Sequence, residues 1–129
     1  MKRSEFMPFG PVTPIEIAGE CYKNFQSNDV CVPYMTKTFT CKKEFIKNHP
    51  AVVHLDHTSR PQIVTKSRNG IYYKVVKKYC DESGYKALIN TSFNAHEEPI
   101  GYNAEHAVKG LLNNMIDVLY IGSFKVIKK

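Results

Sequence analysis

With 129 residues, 43% of them hydrophobic and 23% charged, the chain has the composition of one ordinary globular domain, not a disordered or fibrous one, and it can bury a single core. Its formal net charge of +6 suits an anionic partner, but the lysines are scattered and only three arginines occur, Arg3, Arg60 and Arg68. That pattern fits a small phosphorylated ligand better than nucleic acid, which favours a concentrated basic stripe.

No apolar run approaches the roughly 20 residues of a membrane span, and the opening MKRSEFMPFG has no continuous apolar centre of the signal-peptide kind. The expectation is a cytoplasmic protein without membrane contact. Cys21, Cys31, Cys41 and Cys80 form no C-x-x-C pair and are expected as free thiols, with a disulfide as the lesser alternative.

The predicted elements begin at Thr13-Pro14-Ile15-Glu16, which reads as a capping box with proline at the first helical position, opening a helix from Pro14 to Phe25. Val32 to Thr40 reads as a strand of aromatic and β-branched residues. After Asn48-His49-Pro50 come a buried-type strand, Ala51 to Leu55, and a shorter one, Gln62 to Thr65. From Asn69 the apolar set Ile71, Tyr72, Val75, Val76 and Tyr79 predicts a helix stopping near Gly84, with Lys74, Lys77 and Lys78 on its wet face. A strand at Lys86–Ile89 follows, then a last helix capped by Asn103 with Ala107, Val108, Leu111, Leu112 and Met115 at helical spacing. Val118–Ile121 and Phe124–Ile127, joined by Gly122-Ser123, read as a hairpin. The sum is a mixed α/β domain with about three helices.

Three polar clusters sit at strand or chain ends: Lys2-Arg3, the run from His54 through Asp56, His57 and Thr58 to Arg60, and Asn90-Thr91-Ser92-Phe93-Asn94. Ligand sites in α/β sheets gather at such ends. Arginine and lysine supply charge to a phosphate, while Ser92, Asn94 and loop N–H groups supply directed hydrogen bonds. The competing reading is an Asx or ST turn in which these side chains bond only the local backbone. A further alternative places a divalent metal on His54, Asp56 and His57, with Asp81, His96 or Glu97, for phosphoester hydrolysis.

The stretches KRSEFMPFGP, VPYM at 32–35, AVVHLDHTSRPQIV at 51–64, ALINTSFNAHEEPI at 87–100 and IDVLYIGSFKVIKK at the close together resemble the C-terminal region of the NodU/CmcH-type O-carbamoyltransferases. The resemblance runs nearly end to end and implies a YrdC-like twisted sheet over residues 1–129. It implies binding of carbamoyl phosphate and ATP, with Mg2+, and formation of a carbamoyl-adenylate for transfer to an acceptor hydroxyl. It assigns Lys2, Arg3, Arg60, Ser92 and Asn94 to ligand binding and leaves Asn90 and Thr91 to shape the turn, with no metal site in this chain. The family's upstream segment and its N-terminal ASKHA-type domain are expected to be missing here, so such a domain is an expected partner. The alternative is a non-catalytic nucleotide-binding or docking fragment. Met7, His57 and His96-Glu97 depart from the family pattern, standing where it has arginine, glycine and arginine-glycine.

Overall fold

In chain order the elements are β1 (Gly10–Pro14), α1 (Ile15–Cys21), β2 (Phe39–Thr40), α2 (Lys43–Asn48), β3 (Thr58–Ser59), β4 (Gln62–Val64), α3 (Lys66–Ser83), β5 (Leu88–Asn90), α4 (Ala104–Leu112), β6 (Val118–Ile121) and β7 (Phe124–Ile127), with 3₁₀ turns at Val32–Tyr34 and Pro50–Val52. This is the expected mixed α/β class. The computed structural model describes residues 9–95 and 98–128, which fall into two compact units, one reaching Thr91 and one starting at Ser92. Among the described residues there are four α-helices where about three were expected. The addition is α2, whose six residues are too few to show a helical period.

The first unit is built on a three-stranded sheet in the order β4-β1-β5, with β4 parallel and β5 antiparallel to β1. Its central strand is the segment read as a helix entry. Thr13 caps nothing: it is buried in β1, its hydroxyl 2.8 Å from that of Tyr22, and α1 starts behind Pro14 with no side-chain cap. Pro11 is tolerated because pairing with β4 begins only at Val12 opposite Gln62, so its missing N–H removes no bond of that ladder. Pairing on both sides has overridden a local capping pattern.

The sheet is covered on both faces. Val12, Val64 and Leu88 meet Val76 and Cys80 of α3, while Ile63 and Ala87, pointing the other way, join Tyr22, Phe39, Phe45 and Val52. A small antiparallel pair, β2 with β3, borders this unit's sequence at Phe39 opposite Ser59.

Two expected strands did not form as read. Val32 to Thr40 divides into a 3₁₀ turn and the two residues of β2, and Ala51 to Leu55 opens in the 3₁₀ turn Pro50–Val52 and continues without regular pairing. Each turn has a proline in its first residues, where a fixed φ favours a tight turn. Ser59 donates its hydroxyl to the Val52 carbonyl at 2.8 Å, satisfying a buried acceptor without a neighbouring strand.

Helix α3 starts earlier than expected, with the Thr65 hydroxyl accepting from the Arg68 N–H, bends at Gly70 (φ 50°, ψ −117°) and stops at Gly84 in the left-handed region. Its buried stripe is Val76 and Cys80 with Tyr73 beside them. Val75 and Tyr79, expected in the core, are 56% and 37% exposed.

In the second unit α4 and the β6-β7 hairpin form, but α4 ends at Leu112 and leaves Met115, expected on its apolar face, beyond the helix. Asn103 accepts from the His106 N–H at 2.9 Å, and Gly122 takes the positive φ of 56° that the two-residue turn needs. Leu111 and Leu119 are its buried side chains, and Lys128 reaches back to the Leu112 carbonyl at 3.3 Å and the Asn114 amide oxygen at 3.0 Å.

Candidate functional site

The register of the first sheet gathers distant stretches at one of its ends. Gly10 lies opposite Asn90 and Val12 opposite Gln62, so the chain enters β1, enters β4 and leaves β5 on the same side. For the parallel pair this is the amino end of the strands, the reverse of the carboxyl-end crevice usual in doubly wound sheets.

At that end Asn90 donates its side-chain amide to Gln62 Oε1 at 2.8 Å, with Met35 Sδ 3.8 Å away. Gly10 is closely packed: a Cβ there would displace the Met35 methyl and stand 3.2 Å from the Arg60 carbonyl. Asn90, expected to shape the turn, ends β5 and bonds across the sheet to Gln62 at the start of β4. That glutamine was not singled out from sequence, although it closes the R-x-Q of the third motif.

Arg60 sits between β3 and β4 at this end. Its side chain is exposed and makes no hydrogen bond or ion pair among the described residues. Arg68 is in use elsewhere, bonding the Tyr34 hydroxyl at 2.5 Å and lying over its ring.

The turn before Arg60 consumes its own polar groups. Asp56 Oδ1 accepts from the Thr58 hydroxyl at 2.7 Å and from its N–H at 2.9 Å, and these bonds hold the carboxyl below the usual carboxylate range. His54 Nδ1 lies 3.1 Å from the same hydroxyl. His57 has φ 64°, the left-handed conformation that a glycine would adopt freely. Among the described residues no group of three or more His, Cys, Asp or Glu could hold a metal ion, and His54, Asp56 and His57 by themselves do not form one.

Ser92 and Asn94 begin the second unit. Ser92 donates its hydroxyl to Asn94 Oδ1, and Asn94 Nδ2 donates to the carbonyls of Ala95 at 2.9 Å and Glu98 at 2.8 Å. The Gly101 N–H closes onto the Phe93 carbonyl at 2.8 Å, and Gly101 and Gly110 leave room for the Phe93 ring. The local-turn reading therefore describes Asn94 in this state. Beside the loop lies a cavity of about 510 Å³ lined by Phe93, Asn94, Tyr102, His106 and Lys109 among others. Lys2, Arg3, Met7 and His96-Glu97 lie outside the described residues.

All four cysteines are free, and burial pushes the thiols of Cys21 and Cys41 up to about 12 and about 11, so neither is a ready nucleophile. No helix among the described residues is long and apolar enough to cross a membrane.

Comparison with known proteins decides the family. The family described as carbamoyltransferase C-terminus matches residues 1–128. The chain belongs to that family. Over 99% of its length it is 35% identical to an uncharacterized protein of Methanocaldococcus jannaschii, covering 24% of that protein. It is 31% identical to nodulation protein NolNO of Sinorhizobium fredii and 29% identical to nodulation protein NolO of Bradyrhizobium diazoefficiens, covering 19% and 23% of them. This carbamoyltransferase C-terminal chain therefore spans about a quarter or less of the length of the relatives it matches.

Proposed function

We propose that this carbamoyltransferase C-terminal chain binds carbamoyl phosphate and ATP: water splits carbamoyl phosphate into carbamate and inorganic phosphate, a carbamate oxygen bonds to the α-phosphorus of ATP as pyrophosphate leaves, and an ASKHA-type domain passes the carbamoyl group of that carbamoyl-adenylate to an acceptor hydroxyl as AMP leaves. The observation that carries the reading is the convergence at one sheet end. The entry to β1, Met35 of VPYM, Arg60 with Gln62, and Asn90 come from four separate stretches and meet there, and the exposed Arg60 side chain has no partner among the described residues.

Joining a carbamoyl group to a nucleotide crowds anionic oxygens, and a fixed cation facing them stabilises the charge as it develops. Arg60 has the donor geometry for a phosphate, its two N–H pairs forming a planar fork. Lys2, Arg3, Ser92 and Asn94 enter the proposal through their match to the family's motif, and Asn90 and Thr91 shape the turn. Mg2+ would arrive on the triphosphate.

Calorimetric titration with ATP and with carbamoyl phosphate, each with and without Mg2+, tests the reading. Saturable binding that weakens at least about tenfold in Arg60→Ala is expected, the lower end for losing a charge-assisted hydrogen bond. Binding unchanged by that substitution would remove Arg60 from the site. No heat with either compound would leave a docking fragment as the better description.

A further inference from the structure

The bond between Asn90 and Gln62 crosses the central strand. In the order β4-β1-β5, Gln62 stands opposite Val12 and Asn90 opposite Gly10, so the two side chains meet over the start of β1 from the strands on either side of it. They share a face with Val12, Val64 and Leu88, because register partners point the same way and so do alternate residues of a strand. Two features make the meeting possible. Gly10 puts no side chain between them, and Met35 lies beside them, its sulfur 3.8 Å from Asn90 Nδ2 and its methyl in the space that a Cβ of Gly10 would take.

Each amide uses only part of its hydrogen-bonding capacity in that bond. A side-chain carboxamide has an NH2 group that donates and a carbonyl oxygen that accepts. Asn90 Nδ2 donates to Gln62 Oε1 at 2.8 Å, which leaves Gln62 Nε2 and Asn90 Oδ1 without a hydrogen bond among the described residues. Both residues are half-buried, and no buried side-chain nitrogen or oxygen among the described residues lacks a partner, so these two atoms open to solvent. The two joined amides therefore present one donor and one acceptor outward from the sheet end that also carries Arg60.

We propose that Gln62 and Asn90 read the carbamoyl end of carbamoyl phosphate, Gln62 Nε2 donating to its carbonyl oxygen and Asn90 Oδ1 accepting from its amino group, while Arg60 holds the phosphate. This assignment rests on the binding of carbamoyl phosphate proposed above. A carbamoyl group is itself a carboxamide, with one acceptor and one donor, and the two unused amide atoms complement it. Arg60 stands two residues before Gln62, across the buried Pro61, and two steps of extended chain span about 6.6 Å, a distance that a small acyl phosphate and the reach of an arginine bridge together. An acyl phosphate with a methyl group in place of the amine has the same charge and nearly the same shape, but it turns carbon toward the Asn90 oxygen. A site built to accept a hydrogen bond rejects the analogue that cannot donate it, because its own polar atom is left unpaired.

Calorimetric titration of this chain with carbamoyl phosphate and with acetyl phosphate tests the assignment. The wild-type chain should bind carbamoyl phosphate at least about tenfold more tightly than acetyl phosphate. Equal affinities overturn the assignment and leave the proposed function standing, whereas binding of neither compound removes the carbamoyl phosphate site itself and the assignment with it. Two substitutions separate recognition from support of the sheet. Asn90→Asp and Asn90→Leu both lose the donor to Gln62, and only the aspartate keeps an acceptor for the amino group. Asn90→Asp should bind both compounds more weakly, because its charge repels their phosphate, and should keep the preference between them. Asn90→Leu should lose it, its two affinities falling within about twofold of each other. A preference that survives in Asn90→Leu overturns the assignment. So does one that vanishes in both variants, which would make the bond to Gln62 a strut and nothing more. Should a variant fail to fold, the wild-type comparison decides by itself.

Discussion

In the loop from His54 to Arg60, Asp56, Thr58 and His54 are bonded to one another and a long cation is left over; in the stretch from Ser92 to Asn94, the hydroxyl and the amide are bonded to each other and to the loop behind them, and no charge is left. Both stretches carry the composition of a ligand loop. The difference teaches that short polar side chains in tight turns are first used to hold the turn, because an unsatisfied donor there costs more than a net hydrogen bond contributes. Reach separates the two cases. Arg60 extends beyond its own backbone, whereas Asn94 meets two carbonyls within four residues.

The comparison breaks most visibly at Arg60. Arg60→Ala should weaken carbamoyl phosphate or ATP binding by about 1.5–3 kcal/mol and leave the melting temperature unchanged, since the side chain supports nothing else among the described residues. A large fall in melting temperature would mean that the loop needs its arginine as it needs Asp56.

Asn94→Ala should, besides weakening ligand binding, lower stability by about 1–2 kcal/mol in a denaturant titration, as Arg60→Ala does not, because two carbonyls lose their donor. Adding Ser92→Ala should then cost little more, as its partner atom is already gone. Additive losses would show that the two side chains act separately.

His57→Gly sharpens the comparison from within the first loop. With φ at 64°, a glycine should raise stability by about 0.5–1 kcal/mol, and a decrease would assign the imidazole a contact of its own.

The smallest effect is a pH dependence at His49. Its Nε2 accepts from the Lys86 N–H at 3.1 Å just before β5, its Nδ1 lies 3.3 Å from the Phe45 carbonyl, and burial lowers its pKa. The unfolded chain therefore binds the proton more readily than the folded one. Stability should fall as pH drops below the ordinary histidine value near 6.5, and level off once the folded-state ring has also taken up its proton. His49→Gln should flatten a melting curve series taken from pH 7.5 to pH 5, and an unchanged slope would place the pH response elsewhere.

The elements legible in the sequence are those whose signal is local. Asn103 caps α4 because its side chain reaches an N–H three residues on; Gly84 and Gly122 adopt positive φ because nothing on Cβ forbids it. The misread elements depended on partners far along the chain. Val75 and Val76 are chemically identical and adjacent, and a one-residue rotation of the buried stripe of α3 decides that one is covered and the other half in water. At the candidate site, Arg60 and Asn90 stand in motifs that the sequence displays, whereas Gln62 gains its place only from the register that sets it within a hydrogen bond of Asn90.

By itself the sequence determined the family, the mixed α/β class, the caps and turns of the second unit and the position of the polar loops, because motifs, capping side chains and turn glycines act over a few residues. It took the tertiary pairing to bury Thr13 in a central strand instead of capping a helix, and to bring Gly10, Gln62 and Asn90 to one sheet end. Each of those outcomes follows from strand pairing between segments about 50 to 80 residues apart, and pairing of that range leaves no periodic trace in either segment.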